Sequence, residues 1–121
     1  MIGIDLIKTD RLKRTIERFG DRAINRVLSQ NDIHLYKSNQ NFAGLWAAKE
    51  ACAKALGCGI GGECGFHDII LSKTPKGAPQ LSLSPRVRDY FGITDASVSI
   101  THDGEFTIAV VALEQSKSSI K

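Results

Sequence analysis

A single predicted helix dominates this sequence. It runs from about Asn41 to Leu56, and Gly57 ends it. Alanines at positions 47, 48, 51, 53 and 55 keep the helix slim. A slim helix lets another segment of the chain, or a ligand, approach its backbone closely, so a close neighbour is expected here.

Before this helix, the sequence predicts one strand and two or three short helical segments. Residues Ile2 to Ile7 are typical of a short buried strand, and Thr9 or Asp10 can cap the helix that follows it. That helix is predicted to end at Gly20. Three apolar residues share one of its faces: Leu12, Ile16 and Phe19. A second segment carries the apolar residues Ile24, Val27 and Leu28.

A third helical segment is predicted to start at Ser29, with Asp32 in the capping-box position. After the long helix, four strands are predicted, at 68–72, 80–83, 97–101 and 106–113. Ser84-Pro85 begins a short helix that Gly92 closes, and Asp103-Gly104 signals a hairpin between the last two strands. This order predicts an α+β fold in a single domain, with helices packed on a mostly antiparallel sheet. The domain covers residues 1–114, and a polar tail follows at 115–121.

Composition narrows the class of protein. A chain of 121 residues that is 42% hydrophobic is typical of one globular domain and not of a disordered chain. The longest apolar run, Ile108 to Leu113, is far shorter than the roughly 20 residues that a membrane span needs. Asp5 and Lys8 interrupt the apolar start, so no signal peptide is predicted and a cytosolic location is expected. Three cysteines, an odd count without metal-ligand spacing, are expected to be reduced packing residues: Cys52, Cys58 and Cys64.

Two carboxylates are candidates for chemistry. Glu50 and Lys54 project from one face of the long helix, with Trp46 one turn earlier, and an exposed ion pair is the simplest interpretation. Asp5 favours a different interpretation of this site, because a carboxylate on an apolar strand needs a partner. That partner is either structural, such as a helix N-terminus, or a divalent cation. Magnesium takes one or two protein carboxylates together with waters and substrate phosphates, so Asp5 and Glu50 would suffice.

The glycine-rich segment after the long helix has two interpretations. The segment from Gly57 to Gly62 matches G-x-G-x-x-G by letter, but it follows a helix rather than a strand, so a dinucleotide fold is rejected. Gly57 is then either only a helix cap before a flexible loop, or part of a bare backbone that lets a phosphate lie close to Lys54.

His102 lies at the end of a predicted strand, beside a tight turn. Such a histidine is either a surface or packing residue or part of a site. Ser99, His102 and Asp103 are local neighbours without a nucleophile elbow, so a hydrolytic triad is discarded.

Positive charge is concentrated near the N-terminus. Residues 8–26 contain seven bases and three acids, within a chain of net charge +3. Arg11, Arg14 and Arg18 cluster on one side of the first helix, as either a solvated face or a docking surface for an acidic partner. A small nucleic-acid-binding domain is a rival interpretation, but the few aromatic residues are not interleaved with the bases.

Taken together, these segments resemble the bacterial holo-acyl-carrier-protein synthases, the small 4′-phosphopantetheinyl transferases. The resemblance covers nearly the whole chain, in matching order and spacing. Three motifs carry it: Gly3-Ile4-Asp5-Leu6, then Trp46-Ala47-Ala48-Lys49-Glu50-Ala51 with Lys54 and Gly57-Cys58-Gly59-Ile60, and finally Val98-Ser99-Ile100-Thr101-His102.

The resemblance implies an activity and a set of site residues. Members transfer phosphopantetheine from coenzyme A to a serine of apo-acyl carrier protein, release 3′,5′-ADP, require Mg²⁺, and are typically homotrimers with interfacial active sites. Asp5 and Glu50 would be the metal ligands, and Lys54 would contact the pyrophosphate or assist the transfer. The coenzyme A site would be lined by six residues: Lys54, Gly57, Gly59, Ile60, Pro79 and His102. Arg11, with Arg14 and Arg18 beside it, would help to dock the acidic carrier. The base would be Glu50 or a metal-bound water.

Two positions depart from the family pattern. Leu45 stands where members usually carry arginine, and the usual Gly-Lys-Pro turn reads Gly77-Ala78-Pro79. Weaker or rearranged coenzyme A binding is expected from these changes, and a non-catalytic scaffold that binds coenzyme A is the alternative that they suggest.

Overall fold

A computed structural model describes residues 1–117 of the chain. The five strands are β1 (Ile2–Lys8), β2 (Ile69–Lys73), β3 (Pro79–Leu83), β4 (Ile93–Asp103) and β5 (Phe106–Gln115). The four α-helices are α1 (Thr9–Phe19), α2 (Asp21–Val27), α3 (Asn39–Leu56) and α4 (Pro85–Phe91). Two short 3-10 turns, Ile33–Leu35 and Phe66–Asp68, complete the elements. Within residues 1–117, no helix has the length and apolar character that crossing a membrane requires.

The strands form two antiparallel sheets. One has the order β1-β5-β4, and the other pairs β2 with β3. Helix α3 packs on β1 and β5, and the hydrophobic core lies between this helix and the sheets. The predicted α+β class is confirmed. The strand β5 runs to Gln115, one residue beyond the predicted domain boundary, and residues 118–121 of the predicted tail lie outside the described residues.

The close neighbour expected along the slim helix is strand β1. A Cβ atom built on Gly3 would collide with the carbonyl oxygen of Ala51 and the amide nitrogen of Ala55. All six alanines of α3, the five named above and Ala43, are buried. Since only glycine leaves enough room here, Gly3 and the alanines together set the spacing between β1 and α3.

Local signals placed several helix ends correctly. Gly57 ends α3 as predicted, with φ of 82°. The helix begins at Asn39, two residues before the predicted start, and Ser38, which was not predicted as a cap, accepts a hydrogen bond from the Asn41 amide. Ser84 caps α4, with Pro85 as its first residue and Gly92 after its last. These helix ends depend on residues that are neighbours in sequence, which is why the local sequence predicts them.

Other local predictions were wrong because tertiary contacts use the same side chains. Neither Thr9 nor Asp10 caps α1, which begins at Thr9 with Lys8 as its N-cap. The segment after Ser29 forms only the short turn Ile33–Leu35, although Asp32 does accept the Ser29 amide at 2.8 Å. Of the three apolar residues predicted to share one face of α1, Leu12 is buried, Ile16 packs against the core and Phe19 is 44% exposed.

Strand β1 is not buried on both faces as predicted. Ile2, Ile4 and Leu6 point away from α3 and are 74%, 58% and 59% exposed in the single chain. Gly3, Asp5 and Ile7 alternate with them and face the helix, because successive strand residues point to opposite sides. Asp5 therefore lies on the covered face, while the apolar neighbours that made it unusual lie on the other.

A fully buried ion pair joins α3 to the segment before it. Lys49 Nζ lies 2.7 Å from Asp32 Oδ2, and both side chains have no exposed surface. Lys49 also donates to the carbonyls of Val27 and Phe66, and Asp32 accepts the amides of Ser29 and Leu71. Burial lowers the pKa of Lys49, and Asp32 partly offsets that effect. The pair thus gathers four backbone segments around one point of α3.

The cysteines are free, as predicted. Burial raises the pKa of the Cys52 and Cys64 thiols to about 12, so both stay protonated as packing residues. Cys58 is only half-buried, and burial also raises its pKa.

Replacing Lys49 alone is expected to destabilise the fold strongly. Lys49→Met leaves the Asp32 carboxylate buried without its cation, which typically costs about 3–5 kcal/mol. The double variant Lys49→Met, Asp32→Asn removes both charges and should recover part of that loss. Urea unfolding of the three proteins checks the prediction, with Arg88→Met, which breaks the exposed Arg88–Asp89 pair, as the control. Equal stability of Lys49→Met and the wild type would contradict it.

Candidate active site

Lys54 of α3 contacts Asp5 of β1, and Glu50 lies one turn before Lys54 on the same helix. We call these three residues the carboxylate cluster. Lys54 Nζ lies 2.9 Å from Asp5 Oδ1 and also donates to the carbonyl of Ile4 at 3.2 Å. The Asp5 side chain is 15% exposed and that of Lys54 is 52% exposed. The structural partner that Asp5 requires is therefore Lys54. Helix α3 supplies it from one turn beyond Glu50.

Glu50 is oriented by an aromatic side chain. Trp46 Nε1 donates to Glu50 Oε1 at 3.2 Å, from one turn earlier on α3. The predicted exposed ion pair between Glu50 and Lys54 does not form among the described residues, because Lys54 turns to Asp5 instead. Glu50 is thus held by an uncharged donor, and its negative charge remains unneutralised by Lys54.

The donor set of this cluster suits a magnesium ion better than a fully protein-bound metal. Within residues 1–117, no three His, Cys, Asp or Glu side chains converge as a site made only of protein ligands requires. Asp5 and Glu50 are two carboxylates, the number of protein ligands that Mg²⁺ takes when substrate phosphates and waters supply the rest. Asp5 and Glu50 are the residues that would hold such an ion.

The segment from Gly57 to Gly62, which we call the glycine loop, offers a ligand open space near α3 rather than free backbone amides. The amides of Gly57, Cys58 and Gly59 donate to carbonyls of the last helical turn, at Ala53 and Lys54. A Cβ atom built on Gly57 or Gly59 would meet nothing within 4 Å, although their φ angles of 82° and 66° favour glycine. A ligand approaching this loop therefore meets a flat backbone, with Ile60 half-buried behind it.

Asp68 holds the residues that follow the glycine loop in place. It accepts hydrogen bonds from the Gly65 amide at 2.9 Å, from Ser84 at 2.7 Å and from Arg86 at 2.6 Å. Burial alone would raise the pKa of Asp68, but these hydrogen bonds and the Arg86 charge lower it below its ordinary value. The ionised carboxylate ties the loop to α4 at neutral pH.

A second group of predicted residues lines a cavity of about 190 Å³, which we call the histidine cavity. Pro79 and His102 both contribute to its wall. Other residues that line it were not singled out in sequence as site residues: Asn41, Gly44, Lys73 and Gly77. His102 Nδ1 lies 2.8 Å from Thr107 Oγ1, a contact across the β4–β5 hairpin that strand register predicts only once the pairing is known.

The two departures from the family pattern have different surroundings. Leu45 is buried, with 5% exposure, and forms part of the apolar wall of the histidine cavity. Ala78 is exposed in the turn before β3. Lys73, at the end of β2, is the lysine that lines the cavity.

The carboxylate cluster and the histidine cavity lie at different edges of one sheet. Asp5 is on β1 and His102 is on β4, the two outer strands of the order β1-β5-β4. Two strand spacings separate them, which is roughly 10 Å before the shift along the strands is added. None of the residues Asp5, Glu50, Lys54, Gly57, Gly59 and Ile60 lines the cavity. A single chain thus brings the predicted site together in two parts.

The predicted docking residues are on the exposed side of α1. Arg11, Arg14 and Arg18 are all exposed, and Arg18 lies over the ring of the exposed Phe19, 5.1 Å from its centre. The surface therefore combines positive charge with an aromatic side chain.

The chain is similar to known proteins over most of its length. Residues 1–111 match the model of the 4′-phosphopantetheinyl transferase superfamily. The chain is 51% identical to the holo-[acyl-carrier-protein] synthase of Sulfurimonas denitrificans, covering 98% of both chains. It is 54% identical to that of Wolinella succinogenes, covering 98% of this chain and 100% of the relative.

A solved structure is similar at the level of the fold as well. The Helicobacter pylori holo-[acyl-carrier-protein] synthase, crystallised in complex with coenzyme A, superposes with a TM-score of 0.91 at 45% identity, covering 94% of this chain and 100% of that one. The chain belongs to the 4′-phosphopantetheinyl transferase superfamily, and its resemblance to the holo-acyl-carrier-protein synthases is confirmed. It is an enzyme of the phosphopantetheinyl transferase class.

The packing of Gly3 on α3 should control the geometry of the carboxylate cluster. Gly3→Ala must push β1 away from Ala51, because the obstructing atoms are backbone. We expect a loss of about 1–3 kcal/mol in unfolding free energy and a larger relative loss of activity, since Asp5 moves from Lys54. Thermal unfolding and the transfer assay below measure the two effects. Gly104→Ala, at a positive φ in the β4–β5 turn, is the control for a strained glycine away from the cluster. Wild-type activity in Gly3→Ala would contradict this view of the cluster.

Proposed function

We propose that this enzyme transfers the 4′-phosphopantetheinyl group of coenzyme A to a serine hydroxyl of apo-acyl carrier protein. The serine oxygen forms a bond to the β-phosphorus of coenzyme A, the bond from that phosphorus to the bridging oxygen breaks, and 3′,5′-ADP leaves with that oxygen. The serine proton passes to a base. The product is the carrier that fatty acid biosynthesis uses, and the expected location is the cytosol.

The observation that carries this proposal is the contact between Asp5 and Lys54, with Glu50 one helical turn before Lys54. Two of them come from the helix motif and one from the N-terminal strand, and the 2.9 Å contact between Lys54 and Asp5 joins the two motifs. A phosphate-transfer site needs carboxylates and a cation on one surface, because charge develops on the leaving oxygen. Lys54 is half-exposed, so it can reach a bound pyrophosphate.

Asp5 and Glu50 would hold the Mg²⁺ ion that this reaction uses. When bound, the ion neutralises charge on the pyrophosphate and on the departing oxygen. The Trp46 hydrogen bond keeps Glu50 in a fixed rotamer, which suits either a ligand or a base for the serine proton.

Coenzyme A would use the histidine cavity and the glycine loop. Pro79 and His102 line the histidine cavity. Gly57 and Gly59 follow Lys54 at the end of α3, next to the carboxylate cluster, and Ile60 comes directly after them. Lys73 lines the cavity that Leu45 makes apolar, so it is positioned to replace part of the charge that the usual arginine provides. The exposed arginines 11, 14 and 18 would attract the acidic carrier.

The separation of the two groups supports an assembly of several copies, and we propose the homotrimer that the family resemblance implies. In such an assembly, the carboxylate cluster of one chain would face the histidine cavity of its neighbour. The outward face of β1 supports an apolar interface, because Ile2, Ile4 and Leu6 are more than half exposed in the single chain and Val110 beside them is 37% exposed.

The transfer reaction can be tested by intact mass. Apo-acyl carrier protein incubated with the enzyme, coenzyme A and Mg²⁺ should gain the mass of one phosphopantetheinyl group, and EDTA should abolish the gain. Asp5→Asn and Glu50→Gln should each lower the rate by about 10²-fold or more, because each removes charge at the reacting phosphate. Asp89→Asn, an exposed carboxylate on α4, is the matched control and should keep the rate.

Failure of this assay has distinguishable forms. Coenzyme A binding without transfer to several apo carriers would support the scaffold alternative. Binding to nucleic acid that Glu50→Gln leaves unchanged, with no binding to coenzyme A, would support the small basic binding domain instead.

The assembly is tested through the outer face of the sheet. Ile4→Asp places a charge where the apolar interface is proposed, so the chain should become monomeric and lose transfer activity while remaining folded. Light scattering after size-exclusion chromatography measures the mass, and circular dichroism reports folding. Ser82→Asp, at an exposed position on β3, is the control. A wild-type protein that is active as a monomer would contradict the shared site.

A further inference from the structure

A chain of three side chains connects the start of α1 to the histidine cavity. Thr9 Oγ1 lies 3.1 Å from Thr107 Oγ1, which lies 2.8 Å from His102 Nδ1. Thr107 has no exposed surface, whereas His102 opens to the cavity. The residues adjoin because β5 pairs Thr107 with Ile7 on one side and His102 on the other. Thr9 is also fixed at its backbone, where its amide donates to the Glu105 carbonyl at 2.8 Å.

The Thr107 hydroxyl can either donate a hydrogen bond to the His102 ring or accept one from it. With a neutral ring, Thr9 donates to Thr107, and Thr107 donates to the unprotonated Nδ1, so the ring proton lies on Nε2. With a charged ring, Nδ1 donates to Thr107, and Thr107 donates to Thr9. In both arrangements Nε2 carries a proton. A third arrangement, a neutral ring with its proton on Nδ1, would leave Nε2 as an acceptor. Because Thr107 occupies Nδ1, Nε2 is the nitrogen left to face a ligand, and a phosphate, which accepts hydrogen bonds, selects the two arrangements in which Nε2 carries the proton.

The orientation of the ring places that donor toward the cavity. A Cβ atom built on Gly44 would lie 3.6 Å from His102 Cε1 and 3.7 Å from Nε2, so this edge of the ring faces α3. Gly44 and His102 both line the histidine cavity. The absence of a side chain at Gly44 leaves the Nε2 edge uncovered.

We propose that Thr107 is a positioning residue, which holds His102 with Nε2–H directed into the histidine cavity as a donor to a phosphate group of coenzyme A. The ligand identity rests on the function proposed above, whereas the hydrogen bond does not. Thr9 is a second positioning residue, because its hydroxyl is the other hydrogen-bond partner of the Thr107 hydroxyl. An aliphatic side chain of the same shape cannot replace either one.

Three variants separate the hydroxyl from its shape. Thr107→Val keeps the volume and removes the hydroxyl, whereas Thr107→Ser keeps the hydroxyl. Thr94→Val is the matched control. Thr94 is on the same strand as His102 but lies outside the cavity, and the change removes its hydrogen bond to the Glu114 carbonyl. Calorimetric titration with coenzyme A in the presence of Mg²⁺ should show the dissociation constant of Thr107→Val raised several-fold to about tenfold, the value expected for one lost hydrogen bond. Thr107→Ser and Thr94→Val should stay near the wild type.

A spectroscopic measurement tests the position of the ring without any substrate. Long-range ¹H–¹⁵N spectra show which nitrogen of each histidine carries the proton, and His102→Gln identifies the His102 signals among the three histidines. The wild type and Thr107→Ser should show a single neutral form with the proton on Nε2. Thr107→Val should show a mixture of the two neutral forms.

The outcomes separate this proposal from the proposed function. Unchanged His102 spectra in Thr107→Val, or coenzyme A affinity equal to that of the wild type, would overturn it. Failure of Thr107→Ser to restore affinity would also overturn it, because shape rather than the hydroxyl would then matter. A wild-type chain that does not bind coenzyme A would refute the proposed function, while the spectra would still decide whether Thr107 holds the ring.

Discussion

The close approach of strand β1 to helix α3 determines where the carboxylate cluster can form. Gly3 leaves no space for a side chain against Ala51, and the buried alanines of α3 allow the strand to lie on the helix backbone. At this distance Lys54 reaches Asp5 at 2.9 Å, although 49 residues separate them in sequence. The same contact turns Ile2, Ile4 and Leu6 outward, because strand residues alternate. One packing constraint therefore positions the charged site and the apolar face proposed to join it to another copy.

A second constraint keeps α3 in place at its other side. The Lys49–Asp32 pair is fully buried, and its two side chains accept or donate four hydrogen bonds to backbone groups at Ser29, Leu71, Val27 and Phe66. Buried charges are tolerated only when such partners surround them. Lys49 and Glu50 are adjacent in the helix but point into different environments. One lysine stabilises the core, while the neighbouring carboxylate faces the proposed reaction.

The proposed site is distributed over two edges of the sheet, so under the proposed function one chain holds only part of the coenzyme A site. Asp5 and His102 are on outer strands, and the central strand β5 lies between them. That strand contributes Thr107, which contacts His102 and Thr9. The start of the arginine-bearing helix and the histidine cavity are therefore connected through a buried hydroxyl. In this arrangement the proposed carrier-docking surface and the proposed coenzyme A surface are joined through Thr107.

The sequence by itself determined the elements whose signals are local. Gly57 and Ser84-Pro85 mark helix ends, because capping uses neighbouring residues, and the spacing of Trp46, Glu50 and Lys54 places them on one helix face. Tertiary structure alone decided which partner each polar side chain found. It gave Lys54 to Asp5 rather than Glu50, made Asp32 a buried counterion rather than the start of a longer helix, and used Thr9 in a contact with Thr107. These choices depend on distances between segments far apart in sequence, and periodicity carries no information about such distances.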